Sequence, residues 1–126
     1  MKKLTCHCEN VELEVNIPEA GFPKLMRCNC SLCKRKGAIM TMVNQENFKI
    51  LDGKSSIKKY QFHTKVANHF FCYICGIYTH HNPRRDPKLF GVNVGCLENF
   101  DENNIKDIKN MDGKNHPMDK SGDEKI

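Results

Sequence analysis

Hydrophobic and polar residues alternate with a period of two along much of this chain. Val11, Leu13, Val15 and Ile17 alternate with Glu12, Glu14 and Asn16, the pattern of a strand with one buried face, and Pro18 ends it. Leu25 and Met26 run into a cysteine cluster, and Ala38 to Val43 reads as another strand beyond Gly37. Phe48 to Leu51 meets Asp52-Gly53, a hairpin signal, and is expected to return as Ile57 to Phe62. Val66 to Phe71 and Leu89 to Val94 read as further strands. Ile105 and Ile108 stand among acids and lysines in a segment compatible with a short helix or an edge strand. Short strands separated by turns predict a mostly β fold with little helix. Residues 119–126 are nearly all polar and are expected to form a flexible tail, leaving 1–118 as one domain.

The cysteines add chemistry to this pattern. Seven of the eight fall in three clusters: Cys6-x-Cys8, Cys28-x-Cys30-x-x-Cys33 and Cys72-x-x-Cys75. Two pairs make one closed four-thiolate site, while the remaining three make a site one ligand short of a tetrahedron. Zinc with four protein ligands is structural, and zinc with three keeps a position for water or substrate. The count therefore predicts two zinc ions with different roles. Cys72-Tyr73-Ile74-Cys75-Gly76 has the form of a zinc knuckle, its glycine suited to unusual backbone angles. A disulfide framework is the rival reading. It needs an oxidising compartment, and the apolar stretch of a signal peptide does not follow Met1-Lys2-Lys3. A reducing, intracellular setting is expected, cytoplasmic or nuclear. Cys96 stands alone as a small buried residue, and His7 is read as structural or solvent-facing.

Composition supports one small, thin core: 126 residues, 39% hydrophobic, 28% charged and no tryptophan. Metal binding then supplies stability that apolar burial does not. Seven thiolates and two zinc ions bring the formal charge of +5 down to roughly +2. The basic excess is spread out, and the densest run, Lys34-Arg35-Lys36, is too short for a nucleic-acid footprint. Nucleic acid is thus not expected as a partner, and no window resembles a membrane span. Because the triplet follows the three-cysteine loop, attraction of an anionic substrate is its alternative role.

Thr5-Cys6-His7-Cys8, Arg27 to Gly37, Phe71 to Gly76, Asn82-Pro83-Arg84, Asn93 to Leu97 and Asp112 to Pro117 together resemble the glutathione-dependent formaldehyde-activating enzyme family, which includes centromere protein V. The likeness runs in order through residues 4–117. It implies the β-tent fold of short antiparallel strands with zinc loops at strand ends. It also implies a closed zinc site at Cys6, Cys8, Cys72 and Cys75 and an open, catalytic one at Cys28, Cys30 and Cys33, matching the ligand count. One departure is Glu9, where the family usually has glycine; this is expected to alter the local turn and leave the ligands in place.

The activity that the resemblance implies is joining glutathione to formaldehyde, or cleaving the carbon–sulfur bond of such an adduct. A carbon–sulfur lyase acting on a glutathione-like thiol–aldehyde adduct is the leading expectation. The alternative is a non-catalytic zinc module that binds a protein partner or chromatin, and a fold cannot decide between them. Arg84 and Arg85 are candidates to hold ligand carboxylates by bidentate contacts. Among the histidines, His80, His81 and His116 are weighed as a fourth ligand or general base against ordinary hydrogen-bonded histidine, with His116 preferred for its place in the shared Asp112–Pro117 stretch. Asn93 is read as structural.

Overall fold

The computed structural model describes residues 1–17, 24–101, 103 and 105–114. Among the described residues ten short strands form two open sheets: β1 (Lys2–Thr5), β2 (Glu12–Val15), β3 (Met26–Cys28), β4 (Met40–Val43), β5 (Phe48–Asp52), β6 (Ile57–Tyr60), β7 (Asn68–Cys72), β8 (Tyr78–Asn82), β9 (Phe90–Asn93) and β10 (Lys109–Met111). One sheet has the order β1-β2-β5 and the other β10-β3-β4-β9-β8-β7-β6. This mostly β, uncurled arrangement is consistent with the β-tent, and the cysteine clusters lie near strand ends. His116 and the tail at 119–126 lie outside the described residues.

The core lies where the small sheet meets one face of the large one. Leu13 and Val15 of β2 are fully buried against Val43, Val92, Val94 and Leu97, and Leu4 bridges to Leu97. Burying each such side chain contributes about 1.5–3 kcal/mol. Alternation then puts Met40 and Met42 of β4 on the opposite face, where Met26, Met40 and Tyr78 form a second apolar cluster with Ala38, Met42 and Met111 around it. The large sheet is thus apolar on both faces.

Two expectations need correction. First, β5 and β6 are not a hairpin: β5 pairs with β2 and β6 with β7, in different sheets. Gly53 does take the left-handed turn (φ +80°), but Lys54–Ser56 winds on as a 3-10 turn closed by Ser56 N–H donating to Gly53 O at 2.8 Å, and carries the chain across. Second, not every pair is antiparallel. The segment around Ile105 and Ile108 packs on the core and ends in β10, an edge strand parallel to β3 with Met111 opposite Cys28. Glu9 adopts φ +65°, which costs about 1 kcal/mol of backbone strain in the turn after Cys8, and the four sulfurs of that cluster stay within 4.8 Å of one another.

Candidate metal centres and cavity

Cys6 follows β1 and Cys8 sits in the tight turn after it, while Cys72 ends β7 and Cys75 lies in the turn before β8. The four sulfurs lie within 4.8 Å of one another. Cys6 Sγ and Cys8 Sγ are 3.5 Å apart, and Cys8 Sγ and Cys72 Sγ 3.7 Å. A tetrahedron with metal–sulfur bonds near 2.3 Å has edges of about 3.8 Å, so the donor set fits zinc without rearrangement. Backbone N–H groups point at the sulfurs: Val11 N–H donates to Cys6 Sγ at 3.3 Å, and Gly76 (φ +79°) closes the knuckle by donating to Cys72 O at 2.7 Å. Burial pushes the Cys6 thiol up to about 12. Burial also acts to raise Cys75, yet the backbone N–H groups of Cys8 and Ile77 hold it down to about 6. A cation is what allows such crowded thiols to ionise together.

The second cluster is built where β3 runs into one short helix, α1 (Ser31–Lys36): Cys28 ends the strand and Cys33 lies in the helix. Cys30 caps its N-terminus, its sulfur accepting from Cys33 N–H at 3.3 Å, and Gly37 (φ +63°) ends it by donating to Cys33 O. Lys34, Arg35 and Lys36 occupy its last turn, where cations suit the helix dipole. Of the triplet, only Lys36 lines the cavity beside the cysteines; Arg35 donates to Ser31 O at 2.8 Å. Cys28, Cys30 and Cys33 also lie within 4.8 Å of one another. Hydrogen bonds from the Cys28 and Cys33 thiols hold Cys30 down to about 2, while hydrogen bonding to Cys28 and Cys30 pushes Cys33 far up. Three crowded thiols oppose one another's ionisation, and a soft divalent cation completes such a donor set.

Asn29, between the ligands, fastens the C-terminal segment over this loop. Its side chain donates to Asp112 Oδ1 at 3.2 Å and accepts from Lys114 N–H at 3.1 Å, and its own N–H donates to Met111 O at 3.1 Å. Gly113 thereby lies against Cys28 Sγ and Cys30, with no room for a β-carbon.

The three-cysteine loop forms one wall of a cavity of about 360 Å³ on the outer face of the large sheet. Arg84 and Arg85 line it as well, so the structure brings these two candidates together with the cysteines. His81 does too, but His80 does not. A bulge at the β7–β8 pairing shifts the register between Phe70 and Phe71, so Tyr78 and His81, three apart, both face the cavity. His80 points into the core, its ring stacked on Phe70 at 4.5 Å and its Nδ1 2.8 Å from Thr79 Oγ1.

Sequence reasoning missed several cavity residues: His69, Tyr78, Phe62 and the four methionines at 26, 40, 42 and 111. The His69 and His81 rings are parallel at 5.8 Å, and Lys36 Nζ lies 4.2 Å from the centre of the Tyr78 ring. Burial lowers His69 to about 4 and His81 to about 3, so both are neutral at pH 7, and burial keeps the Tyr78 phenol protonated. Tyr78 Oη, His69 Nδ1 and His81 Nδ1 are buried with no hydrogen-bond partner among the described residues, a demand that an ordered water or ligand oxygen meets. Asn93 donates to Tyr78 O at 2.8 Å, and the buried Cys96 thiol lies 3.7 Å from the same oxygen; both support β8.

The described residues contain no helix long and apolar enough to cross a membrane. A crystal structure of a Rhodobacter sphaeroides protein is similar to this chain, with 40% identity over 86% of this chain and 99% of that one and a TM-score of 0.80. The family model for the glutathione-dependent formaldehyde-activating enzyme matches residues 1–111, and the chain belongs to that family.

Proposed function

We propose that this protein is a zinc-dependent carbon–sulfur lyase that forms or cleaves an adduct between an aldehyde and glutathione or a related thiol. The observation that carries the reading is the contrast between the two clusters. Four cysteine sulfurs converge within 4.8 Å of one another, enough to fill a tetrahedral site, whereas three line a cavity together with Lys36, Arg84 and Arg85. On this reading residues 1–118 form one zinc-binding domain working in a reducing compartment.

Cys6, Cys8, Cys72 and Cys75 would hold the structural zinc, and Cys28, Cys30 and Cys33 the second. Zinc with three thiolate ligands supplies one open position that binds and polarises a substrate sulfur or oxygen. Lys36, Arg84 and Arg85 bind the carboxylates of the thiol, the arginines by two-pronged hydrogen bonds. The protonated Tyr78 phenol and the neutral imidazoles of His69 and His81 add no charge to a wall that already faces three thiolates. They are suited to hydrogen-bonding an uncharged oxygen of the adduct. The apolar wall excludes water, which strengthens each of these contacts.

Two measurements test the reading. Freshly purified protein is expected to carry two zinc ions per chain and no disulfide among the seven clustered cysteines. Metal analysis returning one zinc or none, or a thiol titration finding clustered disulfides, overturns it. Titration calorimetry is expected to show glutathione binding at least about tenfold more tightly than its diethyl ester, since each charge-assisted hydrogen bond contributes about 1.5–3 kcal/mol. Equal affinities remove the cationic rim from the proposal.

A further inference from the structure

The cavity is poorly matched to a one-carbon aldehyde. A formaldehyde unit is comparable in size to one or two water molecules, each with a share of liquid volume of about 30 Å³. The space beside the three cysteines is about 360 Å³, within the range of sites that enclose whole small molecules. Nor does glutathione account for its walls. Glutathione is polar along its length, with two carboxylates, an ammonium group and two amides, and its match here is the cationic rim of Lys36, Arg84 and Arg85. Apart from the cysteines and the polar groups of His69, Tyr78 and His81, one continuous stretch of the lining is apolar: Met26, Met40, Met42 and Met111 lie together on the outer face of the sheet, with Ala38 and Phe62 beside them.

Four of the chain's six methionines are spent on this one wall. Thioether side chains are flexible and polarizable, and they line surfaces that adapt to apolar ligands of varied shape. β4 presents Met40 and Met42 outward while Thr41 and Val43 face the core, so this is a second apolar face of the sheet in addition to the buried one. The wall is contiguous with the cluster, because Met111 pairs with Cys28 across β10 and β3 and Met26 stands two residues before Cys28.

We propose that the aldehyde-derived half of the adduct is a multi-carbon apolar group, alkyl or aryl, seated on the methionine wall, with the thiol's carboxylates on the cationic rim. The inference rests on the thiol–adduct reading above and names the substrate class of that same site. The sulfur lies at the three-cysteine end, the polar half of the adduct faces solvent and the arginines, and the apolar half fills the well.

The test uses the zinc-loaded full chain and stable thioether mimics of the adduct. Titration calorimetry would compare glutathione with S-methyl-, S-butyl- and S-hexylglutathione, and a separate titration would use 6-mercaptohexanoate, an anionic thiol with an apolar body and no peptide. Each buried methylene improves binding roughly threefold to fourfold, so S-hexylglutathione is expected to bind about 100-fold or more tightly than the S-methyl compound. In protein labelled with ¹³C at the methionine methyls, S-hexylglutathione is expected to shift the signals of Met26, Met40, Met42 and Met111 and to leave the exposed Met1 in place. Glutathione binding with no gain along the alkyl series overturns the apolar-substrate inference and leaves the thiol reading standing. If no glutathione compound binds, yet 6-mercaptohexanoate does and shifts the four methionine signals, the glutathione reading falls and the apolar well stands. Failure of both ligand types overturns both.

Discussion

Cys72→Ser is expected to give insoluble or molten protein, while Cys30→Ser stays folded, keeps one zinc and loses thiol binding. The two cysteines differ in what their clusters tie together. Cys8 and Cys72 are 64 residues apart, and their cluster joins the turn after β1, in the small sheet, to the end of β7 in the large one. A metal there closes a long loop and fixes the two sheets against each other, so its binding energy is folding energy, on the order of 10 kcal/mol at neutral pH. Marginal domains hold about 5–15 kcal/mol in total, and this one has a thin core. Cys72 is also fully buried, so a serine hydroxyl there replaces a ligand with an unsatisfied polar group. Cys28, Cys30 and Cys33 instead span one loop and the first turn of α1, and Cys30→Ser leaves an N-cap of the preferred type. Circular dichroism, thermal melting and zinc content of the two variants decide the matter. If Cys30→Ser unfolds the domain as badly as Cys72→Ser, the division into a structural and an open site is wrong.

The clusters were legible in the sequence because ligand spacing is a local property: Cys28, Cys30 and Cys33 need only one turn of chain to converge. The strand alternation of Val11 to Ile17 was legible for the same reason, since one buried face writes a period of two. The cavity was not. Its walls come from the unburied phase of strands whose other phase makes the core, so Met40 and Met42 looked like ordinary strand residues until β4 had a place in the sheet. The extra residue at the β7–β8 bulge put Tyr78 and His81 on one face, which strict alternation forbids, and no turn residue announced it. Arg84 and Arg85 follow Pro83 in a loop whose direction depends on β8, a strand that polar residues (Tyr78 to Asn82) conceal. β10 was ambiguous because three residues with two exposed side chains carry little hydrophobic signal; its parallel pairing with β3 is set by tertiary contacts.

That parallel pairing has the second large effect. Gly113→Val is expected to remove zinc from the three-cysteine site and abolish thiol binding, although position 113 supplies no ligand. β10 delivers Met111 opposite Cys28, and Asn29 then clamps Asp112 and Lys114 by side-chain hydrogen bonds, so the backbone at Gly113 passes directly over the sulfurs. A β-carbon there overlaps Cys28 Sγ and crowds the Cys30 backbone N–H at 3.2 Å. Gly113 has no left-handed requirement, so the cost of substitution is steric and falls on the cluster. Relief demands that the loop shift or the segment lift, and either change spoils a donor set that must hold its sulfurs to within a few tenths of an ångström. The closed site lies between other elements, so the variant should melt within a few degrees of the parent, carry one zinc in place of two, and fail to bind glutathione. Gly113→Ala is expected to lie between the two. A Gly113→Val protein with two zinc ions and undiminished thiol affinity would show that the C-terminal segment does not cover the cysteines in solution.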